Sequence, residues 1–154
     1  MPLDNLYWQF EFAGNLVTIY LFPLLVTIFW YTLIFNAVNF SDGVPGITGG
    51  FALITFVILG ILGFKLYFTD VTEASQENSR FILMILAIVI PITFFLTRAD
   101  IARSVIMGDT GTMMLGFLIA TLAIIAGGKI ATTVSVLGIY LIDLIYVVLI
   151  RLKK

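Results

Sequence analysis

From Phe12 to Ser41 the chain runs without a single charged side chain. That uninterrupted apolar length constrains the fold more than any other feature. A helix needs roughly 20 mostly apolar residues to cross the hydrocarbon of a bilayer. Segments of that kind recur at about 16–38, 47–68, 81–97, 112–126 and 130–150. Lys65 falls near the end of the second, and Pro91 lies inside the third. Gly127-Gly128-Lys129 joins the fourth to the fifth, which makes these two a tight antiparallel pair. Pro23 and Pro91 are compatible with spans, because neighbouring helices re-satisfy the carbonyls that a proline frees. The expected fold class is all-α: a polytopic membrane helix bundle of about five transmembrane helices, in a single membrane domain over residues 1–154.

Composition narrows the function classes. Hydrophobic residues make up 61% of the chain and charged residues 11%, where an ordinary soluble domain carries about 25% charged. A soluble globular domain and a disordered chain are both excluded, and the lipid bilayer is the expected surrounding. The net charge of −1 excludes a basic nucleic-acid binder, so no nucleic acid is expected as partner. The chain has no Cys and no His. Disulfides, iron–sulfur clusters and Cys-based zinc sites are excluded, and so is the commonest general base at neutral pH. Any catalysis has to run on carboxylates, Lys or Arg, hydroxyls and hard cations. Met1–Asn15 contains Asp4 and Glu11 but no basic residue, so no cleavable signal peptide is expected there.

An odd number of spans puts the two termini on opposite sides. Arg98, Arg103, Arg151, Lys153 and Lys154 fall on one side, and Lys65, Arg80 and Lys129 on the other with most of the acids. The positive-inside rule places the first side in the cytoplasm. The expected location is the plasma (inner) membrane, with the N-terminus outside and the C-terminus cytoplasmic. Thr69–Ser79 becomes an external loop, and Asn39–Pro45 and Arg98–Thr110 become internal ones.

The internal loops carry the polar chemistry. The first reads Asn36-Ala37-Val38-Asn39-Phe40-Ser41-Asp42-Gly43-Val44-Pro45-Gly46. Asn36 and Asn39 are three apart and share a helix face, after which Asp42-Gly43 turns the chain. One reading is a plain polar turn, since Asn, Asp, Gly and Pro are turn formers. The second set, Met107-Gly108-Asp109-Thr110-Gly111-Thr112, opens an apolar helix. Asp109 or a Thr there fits a helix N-cap. Asp109 also fits a magnesium ligand beside an electropositive helix end that suits a phosphate.

Taken together, NAVNxxDGxxG followed by MGDTG resembles the polyprenyl-phosphate N-acetylhexosamine-1-phosphate transferases, which include the phospho-N-acetylmuramoyl-pentapeptide transferases and the undecaprenyl-phosphate N-acetylglucosamine-1-phosphate transferases. The likeness runs from about Phe35 to Lys154, and the tail from Val136 to Tyr146 with Arg151 is closer to the N-acetylglucosamine branch. The resemblance implies a membrane enzyme that joins a polyprenyl phosphate to a UDP-N-acetylhexosamine at the cytoplasmic membrane face, with release of UMP and with Mg2+ as cofactor. It implies Asp109 as metal ligand, with Asn39 and Asp42 lining the nucleotide-diphosphate pocket and Asn36 supporting them. No residue is assigned as catalytic.

The chain departs from the family pattern in several places. It has no Asp-Asp pair, no His-rich loop, and Pro45 where the family usually carries a second Asp that helps hold the nucleotide. Relatives are longer, and this chain matches their middle-to-late part. A gene fragment, a split subunit with a complementary chain, or a reduced relative are the three expectations, and the chain alone is expected to be inactive. A non-catalytic membrane subunit or scaffold is the alternative reading. A small transporter has less support, because Asp143 is the one acid expected deep in a span. Asp143 reads equally as a functional group and as a packing residue, while Arg98 and Arg103 read as interface anchors or phosphate contacts.

Overall fold

The computed structural model describes residues 7–12, 15–69 and 72–126, and farther on Gly138, Ile142, Tyr146 and Ile150. The described elements are strands β1 (Tyr7–Phe12) and β2 (Asn15–Tyr20), followed by helices α1 (Leu21–Phe40), α2 (Ile47–Thr69), α3 (Glu73–Ile101) and α4 (Gly108–Ile125). The four helices are long and apolar enough to cross a membrane. The polytopic helix bundle expected from the apolar runs is therefore present, and the chain is a multi-pass membrane protein. The chain divides into two compact units, residues 1–33 and 34–154.

In the first unit, β1 and β2 pair antiparallel from Tyr7↔Tyr20 to Phe12↔Asn15. The expected span at 16–38 thus starts too early, because Leu16–Tyr20 is strand. The cause is local. Val17, Thr18, Ile19 and Tyr20 are β-branched or aromatic, residue types that favour a pleated ladder. Their register pairs Trp8 with Ile19, Gln9 with Thr18 and Phe10 with Val17. Gln9 Nε2 donates to Thr18 Oγ1 at 3.1 Å across that pair. Pro23 falls in the first turn of α1, where its missing N–H has no intrahelical partner to lose.

Five helical threonines share one arrangement. Thr27, Thr32, Thr55, Thr69 and Thr97 each donate their hydroxyl to the carbonyl four residues back, at 2.6–2.9 Å. Where no water is at hand, this satisfies the hydroxyl within its own helix.

In the second unit, α2 and α3 run antiparallel in close contact. A Cβ on Gly63 would meet Ile82 and Leu83, one on Gly60 would meet Leu86, and one on Gly49 would collide with Thr97. Small residues on α2 therefore let the helix backbones approach, the usual device where lipid offers no hydrophobic drive for helix association. Phe56, Leu59, Ile82, Leu86 and Ile119 form the buried apolar core. Gly116 of α4 packs against Phe35, and Ile34, Ala37 and Val38 are buried on the last turns of α1.

Helix α3 is longer than expected at both ends. It covers 29 residues, about 43 Å at 1.5 Å per residue, against about 30 Å of hydrocarbon. The expected external loop Thr69–Ser79 is helical from Glu73 onward, with an acid in the first turn that suits the helix dipole. The expected internal loop Arg98–Thr110 shrinks to residues 102–107. The fifth span lies mostly outside the described residues, as does Asp143; Gly138, Ile142, Tyr146 and Ile150, spaced by four, are helical.

Candidate functional site

Helix direction brings four termini to one end of the second unit: the C-termini of α1 and α3 and the N-termini of α2 and α4. The joint from α1 to α2 is short. Ser41 N and Asp42 N donate to Val38 O and Asn39 O, each at 3.2 Å. The Ser41 hydroxyl donates to Val38 O at 2.7 Å and lies 3.0 Å from the Thr48 hydroxyl. Gly46 has φ +82°, and a Cβ there would collide with the Ile101 side chain. Its N–H donates to Asp100 Oδ2 at 2.6 Å. Asp100, 7% exposed, thus ties the last turn of α3 to the start of α2.

The joint from α3 to α4 is made mainly by backbone, and the Ser104 hydroxyl donates to Ala99 O at 3.0 Å. Arg103 N donates to Asp100 O at 2.9 Å and Ser104 N to Ala99 O at 3.0 Å, the pair of bonds that closes a Schellman motif. Arg103 occupies the left-handed position of that motif at φ 54°, where glycine is the usual residue. The chain then reaches Gly108, also at positive φ, and enters α4.

The expected N-cap role of Asp109 is not what forms. The N-cap is Met107, no side-chain cap hydrogen bond is made, and Asp109 lies in the first helical turn. It is exposed there, at the positive end of the helix dipole. Thr112, one turn on and fully buried, has its hydroxyl 3.0 Å from Asn39 Oδ1, to which it donates, and 3.0 Å from the Asp109 carbonyl. This contact joins the two polar sets read from the sequence.

Asp42, Gly43, Val44 and Pro45 from one joint, and Asp100, Arg103, Val105 and Ile106 from the other, line an open cavity of about 350 Å³. Burial pushes the Asp42 carboxyl above the usual carboxylate range, and the negative charges of Asp100 and Asp109 push it further. Of the sequence-derived residues, Asn39, Asp42 and Asp109 come together at this end. Of these, Asp42 lines the cavity; Asn39, Asp109 and Asn36, which is exposed one turn earlier on α1, are not among the lining residues. Asp100 was not singled out from the sequence, where it reads as one acid in a basic loop between Arg98 and Arg103.

Among the described residues, no group of three or more His, Cys, Asp and Glu side chains is arranged to hold a metal ion. A magnesium ion characteristically keeps several waters and takes only one or two protein carboxylates beside substrate phosphates. The donor chemistry of Asp42 and Asp109 fits that mode and not a closed protein cage.

Comparison with known proteins points to one family. The sequence model of glycosyl transferase family 4 matches residues 4–127. A phospho-N-acetylmuramoyl-pentapeptide-transferase of Bifidobacterium adolescentis is 30% identical over 129 residues, which cover 79% of this chain and 35% of that protein. The protein of the same description from Chlorobium chlorochromatii is 34% identical over 122 residues, 74% of this chain and 33% of that one. The one from Clostridium beijerinckii is 28% identical over 139 residues, 90% and 38%. The chain spans about a third of the length of these relatives. No solved structure matches it.

Proposed function

The chain belongs to glycosyl transferase family 4, and from that premise we propose that it forms part of a site that transfers an N-acetylhexosamine-1-phosphate from a UDP-sugar to a polyprenyl phosphate. The observation that carries this reading is the meeting of Asn39, Asp42 and Asp109 at one end of the bundle, joined by the Thr112–Asn39 hydrogen bond. In the transfer, a lipid phosphate oxygen forms a bond to the sugar-proximal phosphorus of the UDP-sugar, and the bond to the UMP oxygen breaks. Asp109 and Asp42 would hold magnesium, which supplies charge neutralisation on the diphosphate when bound. Asn39, held by the Thr112 hydroxyl, would contribute its amide on the nucleotide-diphosphate side. The residues of the two joints would orient the phosphates between them, so the protein contributes mainly positioning and electrostatics.

This end faces the cytoplasm in our reading, as the distribution of basic residues favours. The remaining carboxylates come from a complementary chain or from the longer protein of which this sequence is a part. The alternative, a non-catalytic membrane subunit or scaffold, draws on the missing Asp-Asp pair, the missing His and Pro45.

The test is UMP exchange with a UDP-N-acetylhexosamine and polyprenyl phosphate. Little or no exchange is expected from the purified chain, and magnesium-dependent exchange once it replaces the matching segment of a full-length relative. No exchange from a well-folded chimera decides for the scaffold. Cysteine labelling in intact cells checks the orientation: preferential external labelling at position 109 reverses it.

A further inference from the structure

Asp100 breaks a local rule. A helix C-terminus favours cations over anions, because the last carbonyls are unsatisfied, and α3 does carry Arg98 in its last turn. Yet Asp100 is there too, 7% exposed. Helix α3 gains nothing from a buried carboxylate at that point. The gain lies on another element, because Asp100 Oδ2 accepts the Gly46 N–H at 2.6 Å. That N–H stands at the start of α2, where Gly46 O in turn accepts from Gly50 N at 2.9 Å. A helix start needs an acceptor of this kind, because its first backbone N–H groups have no partner within the helix.

The backbone of Asp100 is fixed as well as its side chain. Its carbonyl accepts from Arg103 N in the motif that ends α3. Gly46 can approach only because it has no Cβ to meet Ile101. Among the described residues, this is the one side-chain hydrogen bond from α3 to the joint at 41–46. Asp42 through Pro45 form one wall of the cavity, and Asp100 stands in the opposite wall.

We propose that Asp100 is a positioning residue: through the Gly46 N–H it holds residues 42–45 at the separation from α3 that the cavity needs to receive a nucleotide phosphate. The function assigned to the bond rests on the transfer reading above; the bond itself does not. Asp100 acts through the loop and touches no reacting atom. Its carboxylate oxygen matters as an acceptor, so an amide in its place serves.

The experiment compares the full chain in lipid nanodiscs with its D100N and D100A variants. Amide hydrogen exchange is read over residues 43–50, with residues 82–93 of α3 as the folding control, and binding of UMP in the presence of magnesium is measured on the same samples. In D100A, exchange over 43–50 should quicken about tenfold or more while the control segment stays protected, and UMP binding should weaken by a similar factor. In D100N both quantities should stay within about threefold of the native chain, since the asparagine carbonyl still accepts. If D100A loses protection in the control segment, D100S replaces it, too short to reach Gly46 but small and polar. Unchanged exchange over 43–50 in a folded D100A or D100S overturns the proposal and leaves the transfer reading standing. A D100N variant as impaired as D100A also overturns it, because charge and not hydrogen-bond acceptance would then be the requirement. If exchange responds as expected but the native chain binds no UMP, the positioning role falls together with the transfer reading, and only the structural bond remains.

Discussion

Residues 41–46, between α1 and α2, are fastened by side chains: Ser41 to Thr48, and Asp100 to Gly46. Residues 102–107, between α3 and α4, are fastened back onto the last turn of α3, by backbone N–H groups and the Ser104 hydroxyl, and their tip leaves Ile106 86% exposed. Both joints stand at the same end of the bundle and both contain a residue at positive φ. In the first that residue is Gly46, and packing against Ile101 permits no other. In the second it is Arg103, which bears the left-handed strain and stands among the residues that line the cavity. The first joint is a fixed wall that presents Asp42. The second is a shaped strap that leads into Asp109 and leaves its apolar tip uncovered.

The largest way to break this contrast is at Asp109. In a chimera with a full-length relative, Asp109→Asn should lower transfer by about two to three orders of magnitude, the loss typical of removing one group that stabilises transition-state charge. Folding and membrane insertion should persist, because no cap hydrogen bond is lost. Near-normal transfer with normal magnesium dependence would remove Asp109 from the site and leave two joints with no chemical difference between them.

A matched pair of substitutions tests the positive-φ positions. Gly46→Ala should destabilise the chain by about 2–3 kcal/mol, from left-handed strain and overpacking against Ile101 together. Denaturant midpoints in micelles check this. A neutral result would mean that the loop shifts freely away from α3. Arg103→Gly should go the other way and stabilise by up to about 1 kcal/mol, because glycine relieves the strain of the Schellman position. Transfer by the chimera should fall in the same variant if the guanidinium serves the cavity; stability gained with no loss of transfer would make Arg103 an accident of sequence.

The smallest effect concerns pH. The Asp42 carboxyl is raised in the folded chain, so the folded state holds its proton to higher pH than the unfolded state does. Its contribution to stability is fully present below the ordinary carboxylate value and is lost as pH rises through the raised one. Asp42→Asn should therefore be more stable than the native chain near neutral pH, with the difference closing as the pH falls toward the ordinary carboxylate range. Unfolding midpoints across that window would show a gap that narrows on acidification; a gap that widens has the wrong sign for a buried, repelled carboxylate.

Sequence and structure agree where lipid sets the terms. An apolar run of spanning length has few alternatives to a helix, so α1, α2 and α4 sit close to their expected places. The errors fall where the bilayer stops deciding. Leu16–Tyr20 is as apolar as the span it precedes, and only its β-branched content separates strand from helix. The ends of α3 are polar, and a polar helix that projects beyond the hydrocarbon looks like a loop when read for hydropathy. Asn39, Asp42 and Asp109 are candidates from the sequence alone because their spacing makes motifs. Asp100 is not, since its partner is a backbone N–H 54 residues away, and a backbone donor leaves no mark in a sequence.

The length of α3 has a consequence for depth. Arg80 and Arg98 are both exposed and stand about 27 Å apart along the helix axis, slightly less than the thickness of a common hydrocarbon layer. Long basic side chains accommodate such a shortfall by reaching out to the headgroups. Arginines so spaced suit a helix that rides with one near each headgroup layer. Asp100 lies only about 3 Å farther along the same axis, so in that position it would stand, with the loop it grips, near the level of the lipid phosphates. A headgroup can arrive there by sliding sideways within its own leaflet, and a water-soluble molecule can arrive from above without crossing any oil.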